Sequence, residues 1–197
     1  LKSIPTPETK EQDCNSIYAY SKKYQEDMVM SIGNTYGLPV TALRYFNVYG
    51  PRQSLSNPYT GVIAIFLSRL KNNNAPLIFE DGLQTRDFIS VHDIINANIL
   101  SMNQRSANYE IFNVGTSIAS SIKEIAEGLA RLTGKDILPD VVNKFRKGDV
   151  RHCIADISKI KSKLDFEPNV SFEDGLKELI EWSAEESAID KVENATE

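Results

Sequence analysis

Tyr18 and Lys22 stand four residues apart in a segment with helical periodicity. On a helix, positions i and i+4 lie on one face, so the phenol and the ammonium become neighbours. A free phenol, with a pKa of about 10, is a poor base at neutral pH. A cation beside it favours the phenolate and lowers that value. Such a pair can take a proton from a hydroxyl while a hydride leaves the same carbon. The spacing alone fits equally well a surface tyrosine beside a solvated lysine. Asn47 is a second candidate. It follows the strand-forming run Thr41 to Phe46, and open α/β sheets bind ligands at the carboxyl ends of their strands. A turn-capping asparagine is the alternative.

The elements that must carry these groups are legible as periodicities. Ile17, Tyr20, Tyr24, Met28, Ile32 and Tyr36 form one stripe of a helix that stops near Gly37-Leu38-Pro39. Residues 40–48 are rich in strand formers and end at the turn Tyr49-Gly50-Pro51. Residues 62–70 predict a helix, 76–79 a short buried strand before the turn Asp81-Gly82, 91–102 a helix, and 109–114 a strand before Gly115. Ser121 and Glu124 form a capping box for a helix with Ile122, Ile125, Ala126, Leu129 and Leu132 on its apolar face, and Gly134 is its expected C-cap. Ile157, Ile160 and Leu164 predict a short helix. Ser171 caps a last one carrying Leu176, Leu179, Ile180 and Trp182, and the polar tail after Glu185 is expected to fray. Alternating helices and strands place the chain in the α/β class.

Composition narrows the function. The 197 residues carry 22 Lys+Arg against 27 Asp+Glu, a net charge of −5, with 41% hydrophobic and 25% charged residues. This is an ordinary globular balance, long enough for a real core and too apolar for wholesale disorder. Net acidity argues against a nucleic-acid partner, and no apolar run reaches the length of a membrane span. Cys14 and Cys153 are far apart and form no CxxC, and His92 and His152 have no paired-ligand spacing. Neither a disulfide framework nor a metal site is indicated, and a reduced cytoplasmic compartment is expected. No GxGxxG, GxxxxGK[ST] or GxSxG occurs, so any phosphate-binding glycine loop lies elsewhere. The chain opens Leu1-Lys2-Ser3, without Met or a signal-peptide core, and is expected to be a fragment or a processed chain.

Five segments in order then carry a resemblance. Tyr18-Ala19-Tyr20-Ser21-Lys22 with Glu26 resembles the YxxSKxxxE segment of extended short-chain dehydrogenase/reductases. Residues 43–52, LRYFNVYGPR, resemble the signature of their nucleotide-sugar branch. Residues 81–89, DGLQTRDFI, continuing to Val91-His92-Asp93, resemble DGxQxRDFIxVxD of the same branch. Phe112-Asn113-Val114-Gly115 and the pair Arg146-Lys147-Gly148-Asp149 with Ala155-Asp156-Ile157-Ser158 complete the series. The chain thus resembles the NAD-dependent epimerase/dehydratase family, most closely UDP-hexose 4-epimerases including the UDP-N-acetylglucosamine type.

The resemblance implies a remnant of a Rossmann-like parallel sheet plus a small C-terminal α/β substrate-binding domain. Residues 1–58 and 87–116 would be the end of the NAD-binding part, 59–86 and 117–185 the nucleotide-sugar part, and 186–197 a polar tail. In the family the GxxGxxG half and a catalytic Ser/Thr precede the tyrosine, so the isolated chain is expected to be inactive without them. Tyr18 would be the base, and Lys22 would hold the nicotinamide ribose of NAD and tune the tyrosine. Tyr45 would line the nicotinamide pocket, a core aromatic being the alternative. Asn47 would contact the sugar diphosphate, and Arg86 and Arg146 would grip its phosphates through guanidinium forks, Arg86 pairing instead with Asp87 in the alternative. Asp149 would hold the uridine ribose, while Leu77, Phe79 and Val62 would line the uracil pocket. Cys153 stands where a bulky tyrosine resembles strict UDP-galactose epimerases, and its small side chain would leave room for an N-acetyl group.

The implied partners are a UDP-sugar or dTDP-sugar and a second copy packed through the Tyr18–Tyr36 helix, with no nucleic acid and no membrane. A 4,6-dehydratase, a UDP-glucuronate decarboxylase or epimerase, and a non-catalytic nucleotide-sugar binding module are the alternative readings.

Overall fold

The computed structural model describes residues 5–57, 59–142, 144 and 150–191. Helix α1 spans Ile17–Tyr36. The Ser16 side chain accepts the Ala19 N–H at its start, and Gly37 ends it in the left-handed region at φ 65°. Strands β1 (Thr41–Tyr45) and β2 (Asn47–Tyr49) follow. The single strand expected over 40–48 is therefore broken at Phe46. The Phe46 N–H donates to the Val114 carbonyl and the next N–H, of Asn47, to the Asp87 carbonyl, both at 3.0 Å. Consecutive donors point to different neighbours, so the two halves join different sheets.

Helix α2 (Val62–Lys71) leads to β3 (Leu77–Ile78), β4 (Thr85–Arg86), β5 (Phe88–Ser90) and α3 (Val91–Asn103). A 3-10 turn at Arg105–Ala107 precedes β6 (Glu110–Val114), β7 (Ser120–Ser121) and α4 (Ile122–Leu132). The expected capping box between Ser121 and Glu124 is formed. The C-cap of α4 is Thr133 rather than Gly134, which follows it at φ 67° and releases the chain. Strands β8 (Asp140–Val141) and β9 (His152–Cys153) and helices α5 (Ser158–Leu164) and α6 (Phe172–Ser183) complete the order.

The result is a mixed α/β molecule with small, mostly parallel sheets. β1 pairs parallel with β6, Thr41 opposite Glu110 and Tyr45 opposite Val114. β2 pairs parallel with β5, and β3 with β8. β4 lies between β7, antiparallel, and β9, parallel. Parallel pairing requires a crossover, and helices supply most of them. Two buried clusters hold the elements together. Ile63, Phe66, Leu67, Leu70, Ile125, Leu129 and Leu179 join α2, α4 and α6. Ile89, Phe112, Val114, Ile160, Leu164 and Phe166 join β5, β6 and α5.

The chain does not fray at Glu185. The Arg69 guanidinium meets the Asp190 carboxylate at 3.0 Å, the Asn72 amide donates to the Ala188 carbonyl, and the Ile189 N–H donates to Ser56 Oγ. Residues 186–191 thus run along the end of α2, where a cluster of donors awaits carbonyls and a carboxylate.

Candidate active site

Helix α1 hangs on the molecule by few contacts. Only Gly33 is buried, and a Cβ there would stand 2.3 Å from Val40 Cγ2, so glycine lets the helix close on the strand that follows. The principal tie is ionic. Arg44 on β1 reaches Glu26 on α1 with Nε and Nη2, each at 2.7 Å, and its Nη1 donates to the Glu8 carbonyl at 3.0 Å. Gln12 donates a further hydrogen bond to Glu26. This fork holds the Glu26 carboxyl below its ordinary value and raises the Arg44 guanidinium. Glu8 in turn accepts the Asn113 N–H at 2.8 Å, and the Asn113 amide donates to the carbonyls of Thr6 and Asp156. Residues 6–12 therefore strap α1 to β1, to β6 and to the chain beyond β9.

Tyr18 occupies the first turn of α1 and is 70% exposed. Lys22 Nζ lies 5.6 Å from its ring centroid and 3.4 Å from Gln25 Oε1. The shared face expected from their spacing is present. Tyr45 ends β1, half exposed, and its hydroxyl donates to Asn98 Oδ1 at 2.9 Å. It is an aromatic ring at a strand end, not a core side chain. The Lys22 ammonium and the Tyr18 phenol are groups that can hydrogen-bond ribose hydroxyls, and the open Tyr45 ring is a face that suits a flat cationic ring, the parts that NAD presents.

A second group gathers on β2, β4 and β9. Arg86 lies opposite Cys153 in the parallel register of β4 and β9. The Arg86 guanidinium donates to the Thr85 and Arg151 carbonyls. The carboxylate oxygens of Asp87 are taken by Thr116, Ser117 and Ala155. Asn47 opens β2 and joins this group through its N–H to the Asp87 carbonyl. Leu77 on β3 is half-buried, and the Phe79 carbonyl accepts the amide of buried Gln84, just before β4. Val62 begins α2. Arg146 and Asp149 lie outside the described residues.

The sequence reading missed Arg151. Its guanidinium grips Asp81 through two 2.7 Å contacts and Glu80 through one of 2.8 Å. That tie joins the turn after β3 to the approach to β9 and pulls the Asp81 carboxyl down to about 2. The Asp81-Gly82 turn signal hinted at a loop, but nothing in the sequence paired it with a residue 70 positions away. No described helix is long and apolar enough to cross a membrane.

Comparison with known proteins gives the arrangement a family. The family model described as GDP-mannose 4,6 dehydratase matches residues 1–179. A dTDP-L-rhamnose 4-epimerase of Burkholderia thailandensis is 36% identical over 171 residues, 87% of this chain and 47% of the relative. The crystal structure of UDP-glucose 4-epimerase from Thermotoga maritima with UDP-glucose superposes with a TM-score of 0.85 at 41% identity, over 92% of this chain and 58% of that one. A UDP-glucuronic acid 4-epimerase from Bacillus cereus, in complex with UDP-glucuronic acid and NAD, gives 0.75 at 29% identity, over 84% and 51%. The chain spans about half the length of the curated relatives it matches. On the family match and these likenesses, the chain belongs to the NAD-dependent epimerase/dehydratase family of nucleotide-sugar enzymes.

Proposed function

We propose that this chain supplies the base-bearing helix and the nucleotide-sugar site of a UDP-sugar 4-epimerase. The observation that carries the reading is the Lys22 ammonium 5.6 Å from the Tyr18 ring centroid, on an open helix face tied to β1. NAD, when bound, supplies acceptance and return of the C4 hydride. Tyr18 takes the proton of the C4 hydroxyl as the hydride leaves, and gives it back when the hydride returns to the other face. Lys22 holds the nicotinamide ribose beside the phenol, and Tyr45 flanks the ring. The 4-keto sugar turns about its phosphate linkage while Arg86 and Arg146 retain the diphosphate. Asn47 contacts the diphosphate, Asp149 the ribose, and Val62, Leu77 and Phe79 the uracil.

Cys153 points the sugar preference toward N-acetylated substrates. It lies opposite Arg86 across the β4–β9 pair, half-buried, and its side chain is much smaller than a tyrosine. A Cys153→Tyr variant should lose UDP-N-acetylglucosamine turnover while keeping UDP-glucose turnover, and equal loss of both would refute the assignment.

The division into a dinucleotide-binding part (1–58, 87–116) and a substrate part (59–86, 117–185) belongs to the same reading. The two buried clusters follow it only in part: the α2, α4 and α6 core lies mostly in the substrate part but takes in Tyr49, Leu55 and Phe88, and α5 packs into the core around β5 and β6. A dimer through α1 is supported by its outward stripe, since Tyr20, Tyr24, Met28, Ile32 and Tyr36 are all exposed. A cytoplasmic location fits the two free cysteines.

The test of the activity is Tyr18→Phe in the protein paired with its dinucleotide-binding half. Turnover should fall by about 100-fold or more, the range of a lost general base, while UDP affinity holds. Unchanged turnover would remove Tyr18 from the chemistry.

A further inference from the structure

Asp87 joins β4 to β5 and is completely buried. Its Oδ1 accepts the N–H and the hydroxyl of Thr116, at 2.8 and 2.7 Å. Its Oδ2 accepts the N–H groups of Ser117 and Ala155, at 2.9 and 3.1 Å. Its main chain is equally engaged, the N–H donating to the Cys153 carbonyl at 3.1 Å and the carbonyl accepting the Asn47 N–H at 3.0 Å. Ser117 Oγ donates to the Ala155 carbonyl and closes the ring. One residue therefore fastens the start of β2, the end of β4, the turn after β6 and the chain after β9. Gly115 makes the approach possible, because a Cβ there would stand 2.6 Å from Asp87 Oδ2 and 2.7 Å from Ala155 Cβ.

Three of the segments so fastened bear candidate substrate residues: Asn47, Arg86 and Cys153. We propose that Asp87 is the positioning residue of the nucleotide-diphosphate site, holding these three in one geometry without touching the ligand. The proposal rests on the reading of Arg86 as a phosphate-gripping residue. A carboxylate is acceptor-only, and all four of its partners are donors. An asparagine would turn an amide NH₂ toward donor N–H groups and leave at least one of them unmet in a buried place.

The test is calorimetric titration of the chain with UDP, and separately with dTDP, for the unmodified chain and for Asp87→Asn, Thr116→Val and Thr116→Ser. Asp87→Asn should weaken binding by about tenfold or more, the scale of one buried hydrogen bond to a charged group. Thr116→Val, which removes one hydroxyl donor and keeps the shape, should weaken it by about threefold to tenfold. Thr116→Ser, which keeps the hydroxyl, should restore it. Circular dichroism confirms that each variant is folded, and if Asp87→Asn does not fold, the Thr116 pair decides. Folded variants that bind as tightly as the unmodified chain, or Thr116→Ser no better than Thr116→Val, would overturn the positioning role while leaving the nucleotide site intact. An unmodified chain that binds neither nucleotide would overturn the site and this proposal together.

Discussion

The adjacency of Tyr18 and Lys22 could be read from their spacing, because a helix converts a four-residue interval into neighbours without help from the rest of the chain, whereas their role rests on the family resemblance. The second group is a different case. Arg86 and Cys153 are separated by 67 positions and meet only because β4 and β9 pair in parallel register. Their local sequences carry no sign of the pairing, and the family resemblance placed both at the substrate site without placing them on paired strands. Asp87 was legible merely as a neighbour of Arg86. That its carboxylate would be taken by main-chain donors of two remote turns depends on tertiary folding. At this scale, Arg86→Ala should weaken UDP binding by about 10-fold to 100-fold, the loss of charge-assisted hydrogen bonds, while the melting temperature stays within a few degrees. A titration that finds unchanged affinity would remove Arg86 from the phosphate site.

The helices were the most legible elements, and α1, α4 and α6 each carry an apolar stripe behind a serine N-cap. The observed bounds of α1, α2 and α3 follow the expected ones within a residue. The short strands were not. β4, β7, β8 and β9 have two residues each, too few to show alternation. They exist because their neighbours offer unpaired N–H and carbonyl groups. The apolar stripe of α1 misleads in another way, pointing out of the chain rather than into its core. The helix is held by the Glu26–Arg44 fork instead. Glu26→Gln should therefore cost about 1.5–3 kcal/mol of stability, the range for hydrogen bonds to charged groups. Because Glu26 titrates below its ordinary value in the folded chain, this stability is present above about pH 4.5. It is lost as pH falls through the lowered folded value. Denaturant melts at pH 7 and pH 3 should show the unmodified chain and Glu26→Gln converging at the lower pH. A constant gap would contradict the ionic tie.

The Asp81–Arg151 contact makes a second prediction of the same kind. Asp81 is held at about 2, so its share of the clamp persists above about pH 4 and weakens only as pH falls toward 2. Arg151→Gln should loosen the turn at residues 80–82 at neutral pH. Amide exchange at Leu83 and Glu80 should speed up, and unaltered exchange would show that the turn holds itself.

For the whole molecule, the features left over are surfaces. The outward tyrosines and Met28 of α1 form a continuous apolar band, of the kind that pairs with a partner in an isologous contact. A Tyr24→Glu variant should sediment as a monomer under conditions in which the unmodified protein is a dimer, and identical sedimentation would place the band outside any interface. Charge and composition argued against a nucleic-acid partner and a membrane-spanning helix, but neither could name a sugar.

The proposed activity is tested most directly by proton NMR in D₂O. The protein, paired with its dinucleotide-binding half, is incubated with UDP-N-acetylglucosamine and, separately, UDP-glucose. The account predicts appearance of the 4-epimer with hydrogen, not deuterium, at C4, because the hydride returns to the carbon it left. Absence of a 4-epimer from both sugars, or deuterium at C4, would contradict it.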